Sequence, residues 1–197
     1  MKYIQFRDTI KNKGLIIFSK DDIAPLFDLT REGLTSQLRR YKLKGYLRNP
    51  RRGVFYLTEN PPDHYYLAYK IYNPSYISFE SALSYYSIIP EVVYAITSAT
   101  TKSTRTFLAD GINFTYTKIK SPAFIGFIKK DHYLIAHPEK ALVDYMYLVA
   151  LGKKKMNDRL NISSLDREKV NRYTASFDHQ LLNTRIWQLF KSSKNKQ

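Results

Sequence analysis

A chain of 197 residues, 44% hydrophobic and 25% charged, has room for one large domain or two small ones, each with its own core. Its 32 Lys and Arg against 17 Asp and Glu leave a net +15, an excess that attracts polyanions, either nucleic acid or an anionic membrane surface. The absence of cysteine excludes disulfides, thiol chemistry and Cys-based zinc sites, and no apolar run is long enough to suggest a membrane span.

The N-terminus, "MKYIQFRDTI", mixes charges into a helical pattern and lacks the apolar core of a signal peptide, so the expected location is the cytoplasm. Tyr3 to Asn12 is predicted as a first helix, closed near Gly14. "GLIIF" follows as a short apolar strand or packing segment. Ser19 with Asp22 three residues later reads as a capping box opening a second helix, whose apolar face is Ile23, Leu26 and Phe27. Pro25 removes a helical hydrogen bond there, which predicts a kink or a later start.

Thr30 is a good N-cap for a third helix reaching to about Lys44, with Gly45 as its stop. Leu34, Leu38 and Tyr41 form its buried stripe. Arg31, Thr35 and Arg39 recur at i, i+4, i+8 on another face, bordered by Ser36 and Arg40. Next comes "LRNPRRGVFYL", where Pro50 and Gly53 bracket a reversal and Val54 to Leu57 favour a strand. This predicts a β-hairpin with Arg48, Arg51 and Arg52 at or beside its tip.

A basic turn alone reads as a solvated loop. Here it follows a helix with a polar N-terminal half, and helix, turn, helix, hairpin is the layout of a winged helix-turn-helix. In that layout the third helix enters the major groove and the hairpin is the wing over the backbone or minor groove. The candidate DNA-binding residues are therefore Arg31, Thr35, Ser36, Arg39, Arg40, Arg48, Arg51 and Arg52. Charge distribution agrees: residues 29–58 hold 8 basic and 1 acidic residue, a net +7. A single short helix reads few base pairs, so two copies on a repeated site are expected.

"TENPPDH" (58–64) is the predicted linker, because consecutive prolines continue neither strand nor helix. It divides a DNA-binding domain, 1–58, from a second domain, 63–197. In the second, Tyr65 to Tyr72 reads as a buried helix, and Ser78 as the cap of a helix carrying Ala82, Leu83, Tyr85 and Tyr86. "VVYAITSATT" and "INFTYTKIK" read as strands and "AFIGFIKKDHYLIA" as a hairpin turning near Lys130-Asp131. "HPEKALVDYMYLVALG" is a helix apolar nearly all round, hence central and buried. Two further helices fall near Leu165–Tyr173 and Gln180–Phe190, and the tail "KSSKNKQ" reads as disordered. The fold class is α+β.

Motifs for catalysis are missing. His64, His132, His137 and His179 are scattered, with no metal-ligand spacing, no Gly-rich phosphate loop exists, and no serine sits in GxSxG. Glu139 and Asp144 share a helix without being adjacent on it. Ser98, Thr100, Thr101, Lys102 and Arg105 read as a strand end and loop, with an anion site as the alternative. The 17 tyrosines read as core rather than as base-stacking platforms. Lys153-Lys154-Lys155 follows a helix C-terminus, where cations complement the dipole; it and Lys129-Lys130 also stand as candidate secondary nucleic-acid contacts. No enzyme, cofactor or metal is expected.

The order of elements, with "YISFESALSYYSIIPE", "ITSATTKSTRTF" and "IAHPEKALVDYMYL", resembles the AbiEi-type antitoxins, the antitoxin-regulators of type IV toxin–antitoxin and phage abortive-infection modules. The resemblance covers nearly the whole chain, and "PEKALVDYMYL" is its most telling part. It implies a winged helix-turn-helix followed by a mixed α/β antitoxin domain. It further implies repression of the protein's own operon at promoter inverted repeats, and protection against a nucleotidyltransferase toxin, often without a stable complex. The rival expectation is an RNA- or toxin-binding protein that shields the toxin's substrate or active site.

Overall fold

The computed structural model describes residues 1–194. The chain is α+β and divides into two compact units, the first Met1–Ile71 and the second starting at Tyr72.

In the first unit, α1 (Tyr3–Asn12) buries Phe6 and Ile10. The apolar segment after it runs as a single bridge: Phe18 exchanges both backbone hydrogen bonds with Phe55, at 2.9 and 2.8 Å. The capping box at Ser19–Asp22 forms in full and opens α2 (Lys20–Ile23). Pro25 is accommodated where α2 gives way to a 3₁₀ turn, Ala24–Leu26, with the proline near the start of that turn. The Thr30 hydroxyl accepts from the Gly33 amide at 3.0 Å and opens α3 (Arg31–Leu43), which buries Leu34, Leu38 and Tyr41. β1 (Leu47–Arg51) and β2 (Val54–Leu57) pair antiparallel around Arg52-Gly53, and Gly53 takes φ +83°, a conformation its lack of a Cβ permits. Phe6, Ile10, Phe18, Ile23, Leu34, Leu38, Tyr41, Leu47 and Leu57 make one core.

α4 (His64–Ile71) belongs to this first unit. The division therefore falls after Ile71, not at the Pro61-Pro62 linker where the sequence breaks. The prolines end one element, but the Arg51 guanidinium donates to the Ile71 carbonyl and ties α4 back to the hairpin.

The second unit is built on a six-stranded mixed sheet in the order β5-β6-β4-β3-β8-β7: β3 (Ser75–Ile77), β4 (Ile96–Thr100), β5 (Arg105–Ala109), β6 (Ile112–Lys118), β7 (Phe127–Lys130) and β8 (Tyr133–Ala136). β3 pairs antiparallel with β4 and parallel with β8, and β4 runs parallel to β6. α5 (Phe79–Tyr85) and α6 (Pro138–Ala150) pack together, and α6 also packs on α7 (Arg167–Ala175) and α8 (Gln180–Lys194).

α6 is buried on nearly every side, as its composition predicts, and it takes charges in with it. Lys140 and Asp144, both fully buried, form an i,i+4 ion pair. The Asp144 carboxylate also accepts from the Tyr76 hydroxyl at 2.8 Å and the Ser78 hydroxyl at 2.6 Å. Burial lowers the Lys140 ammonium pKa, and burial, then the neighbouring Asp144 charge, pushes the Tyr76 phenol well above its usual range. The Lys140 stem lies against Gly126, where an added Cβ would stand 3.1 Å from Lys140 Cγ and 2.6 Å from the Tyr173 ring.

Three expectations are corrected here. Ser78 occupies the N-cap position of α5 but does not cap it: the Ser81 amide it would accept from donates to the Thr97 hydroxyl at 3.0 Å, while the Ser78 hydroxyl itself donates to Asp144. β3 and β5 are strands where no separate strands were expected. The segment 191–194 continues α8 rather than forming part of a disordered tail, and 195–197 lie outside the described residues.

Candidate nucleic-acid interface

Between α3 and the hairpin tip runs an open groove lined by Lys20, Arg31, Thr35, Leu38, Arg39, Lys42, Asn49, Arg52, Gly53 and Phe55. Its floor is Leu38 and Phe55; its walls carry five cations and no carboxylate. The geometry follows from local rules. Thr30 fixes the first turn of α3 and so the rotation of the face bearing Arg31, Thr35, Arg39 and Lys42. The Asn49 side-chain amide donates to the carbonyls of Arg51 at 2.6 Å and Val54 at 2.8 Å. That clamp holds the hairpin end where its pairing register shifts, and so aims Arg52.

Of the eight residues expected to bind DNA, the groove gathers four: Arg31, Thr35, Arg39 and Arg52. Ser36 and Arg40 are exposed but lie about 140° and 180° round α3 from Arg31, given about 100° per residue. Arg40 is turned to the N-terminus, donating to the Met1 carbonyl at 3.1 Å and to Gln37 Oε1 at 2.5 Å. Arg48 is exposed on β1 opposite Tyr56. Arg51 is half-buried and engaged with Ile71.

Lys20, Lys42 and Asn49 were not singled out from the sequence. Lys42 was findable: it stands seven residues after Thr35, on the same stripe. Asn49 carried a weaker signal, an Asx residue beside a Pro-Gly turn. Lys20 reaches the site only through tertiary packing, its ammonium 3.2 Å from the Thr35 hydroxyl, which itself donates to the Arg31 carbonyl at 2.8 Å.

Four carboxylates of the first unit, those of Glu59, Asp8, Asp63 and Asp22, are engaged away from the groove. Glu59 pairs with Lys11 at 2.5 Å and Asp8 with Arg7 at 2.8 Å, both on α1. Asp63 accepts from the first amides of α4, and Asp22 closes the capping box, its carboxyl held below the ordinary range by the Ser19 backbone amide. Asp21 pairs with a groove cation, 3.4 Å from Arg31, with side chains 83% and 75% exposed, where such pairs are weak.

The other polar candidates do not converge. Ser98 and Thr100 are buried in β4, and Lys102 donates to the Asn73 carbonyl. Lys154 is paired with Glu80, whereas Lys153 and Lys155 are exposed. Among the described residues, no cluster of three or more His, Cys, Asp and Glu could hold a metal ion, and no helix is long and apolar enough to cross a membrane. No protein-family model matches the chain, and no curated protein matches it.

Proposed function

We propose that the protein binds double-stranded DNA and represses its own operon, the first unit acting as a winged helix-turn-helix. The observation that carries this reading is the groove: five cations, with Thr35 and Asn49, between one helix and a hairpin tip, with no acidic lining residue. α3 enters the major groove. Arg39, exposed on the groove-lining stripe of α3, reads a base edge with its forked donors, and Arg52 on the wing meets the phosphate backbone. Two copies occupy promoter inverted repeats. On the resemblance to AbiEi-type antitoxins, the second unit counters a nucleotidyltransferase toxin without a lasting complex.

An electrophoretic shift with the gene's own upstream DNA tests the reading. Tight binding there and weak binding to a scrambled duplex are expected. Equal affinity for both duplexes refutes a sequence-specific repressor. Co-expression with the neighbouring toxin, beside a promoter reporter, tests the second activity. Growth arrest by the toxin in cells that contain the folded protein removes the antitoxin role.

A further inference from the structure

The second unit carries a different concavity, about 290 Å3, between α7 and α8. Arg167, Asn171, Thr174 and Ala175 line it from α7, at i, i+4, i+7, i+8; Asn183, Ile186, Trp187 and Phe190 line it from α8, at i, i+3, i+4, i+7. Its floor is apolar, with Ile186 buried. Its rim is a large exposed aromatic: Trp187, the chain's single tryptophan, is 54% exposed. Cations cover the rings rather than carboxylates. Lys191 Nζ stands 4.8 Å from the centroid of the Trp187 ring, and the Arg167 guanidinium 5.6 Å from that of Phe190. No acidic residue lines the groove, and Asn171 and Asn183 present exposed amides there.

An exposed indole beside two cations and two amides matches the chemistry of an unpaired base. The base stacks on the ring, amides pair with its edge, and cations neutralise the flanking phosphates. An acidic peptide without aromatic rings would leave the indole face unstacked, and a purely apolar one would leave the amides and cations unused. A duplex keeps its bases stacked inside and has no free face to offer Trp187. We propose that the α7–α8 groove binds a single-stranded nucleic acid through one unpaired base, with Trp187 as the stacking platform, Asn171 and Asn183 on the base edge, and Arg167 and Lys191 on the phosphates. Lys191 lies on a flexible stem and swings aside as the base stacks. The site is independent of the α3–hairpin groove and does not rest on the repressor reading.

The single tryptophan makes the test local. Full-length protein carrying Arg39→Ala and Arg52→Ala, to weaken the other face, is titrated with ten-nucleotide uridine RNA and thymidine DNA while tryptophan emission is read. Saturable quenching by a single strand is expected, with much weaker quenching by a duplex and none by inorganic phosphate. The RNA and DNA arms show whether the sugar matters. By anisotropy of a labelled strand, Trp187→Ala should lose about tenfold in affinity and Trp187→Phe should keep most of it. Arg167→Ala, on an exposed site, should weaken binding and flatten its salt dependence. Binding that leaves emission unchanged, equal quenching by duplex, undiminished binding by both Trp187→Ala and Arg167→Ala, or no binding of either strand overturns the proposal. Because operator binding is read separately through Arg39, failure of one site is distinguishable from failure of the other.

Discussion

The two units treat charge in opposite ways. In the first, Arg31, Arg39, Lys42 and Arg52 stand exposed around one groove, most carboxylates are engaged elsewhere, and the core holds no charge. In the second, Lys140 and Asp144 are drawn into the centre of the fold and paired there with each other, and Asp144 also accepts from Tyr76 and Ser78. An exposed cation costs little to keep unpaired and remains available to a polyanion. A buried one must be matched completely, because its desolvation is repaid only by a full set of partners. The same residue types thus serve a surface in one unit and an architecture in the other.

The largest effect follows from breaking the buried pair. Asp144→Ala strands the Lys140 ammonium and leaves the Tyr76 and Ser78 hydroxyls without their acceptor. Urea unfolding should show a loss of about 3–5 kcal/mol. Lys140→Met/Asp144→Leu should cost less than Asp144→Ala alone, since no uncompensated charge remains. If Asp144→Ala costs under about 1 kcal/mol, in the range of exposed pairs, the contrast between the units collapses.

A smaller change, in binding rather than stability, is expected on the exposed side. Arg39→Ala should weaken operator binding by about 1–3 kcal/mol, the size of a good bidentate base contact, and scrambled-DNA binding by less. Its unfolding midpoint should hardly move, because nothing packs on an exposed arginine. Equal losses on both duplexes would reduce Arg39 to a phosphate contact.

How much of this was legible in the sequence depended on how local its causes were. α1, α3 and the hairpin were readable because Thr30, Gly45, Pro50 and Gly53 act within a few residues of themselves. The Arg31–Thr35–Arg39 stripe was readable for the same reason. β3 was not, because its three residues are made a strand by β4 and β8, both distant in sequence. Ser78 was misread as a cap because the Thr97 hydroxyl that takes the Ser81 amide lies 16 residues on, and the Asp144 carboxylate that orients the Ser78 hydroxyl lies 66 residues on. The burial of α6 was legible from its apolar composition, but the Lys140–Asp144 pair was not singled out, although the two stand at i, i+4 on that helix. Arg40 could have been set apart by helix spacing, which turns it to the far side of α3, whereas Arg51 looked like Arg52 in the sequence and differs in what folding brings to it, the Ile71 carbonyl.

Neighbouring arginines give the sharpest version of the comparison. Arg52→Ala should leave stability unchanged and reduce the salt slope of DNA binding by about 1, one lost phosphate contact. Arg51→Ala should do the reverse, costing about 1 kcal/mol of stability with the slope preserved, since its guanidinium serves the Ile71 carbonyl. Matching salt slopes for the two variants would show that the hairpin does not discriminate between them.

The smallest effect concerns Asp21, the carboxylate paired with Arg31. Its pair with Arg31 is exposed at both ends, so Asp21→Asn should shift stability by less than about 1 kcal/mol, part of it from the lost charge in the first turn of α2. Its effect on binding is opposite in sign. A negative charge beside five cations repels the phosphates that the cations attract and holds Arg31 in a competing pair. Asp21→Asn should therefore bind operator and scrambled duplexes a few-fold more tightly at low salt. The gain should fade as the Debye length shrinks below the spacing of the charges, about 3 Å at 1 M. A larger gain for scrambled DNA than for operator makes Asp21 a guard against indiscriminate binding. A loss of operator affinity gives it the opposite role, holding Arg31 in the orientation that the DNA meets. In that case the exposed surface, like the buried pair, depends on a fixed partner, and the two units differ only in degree.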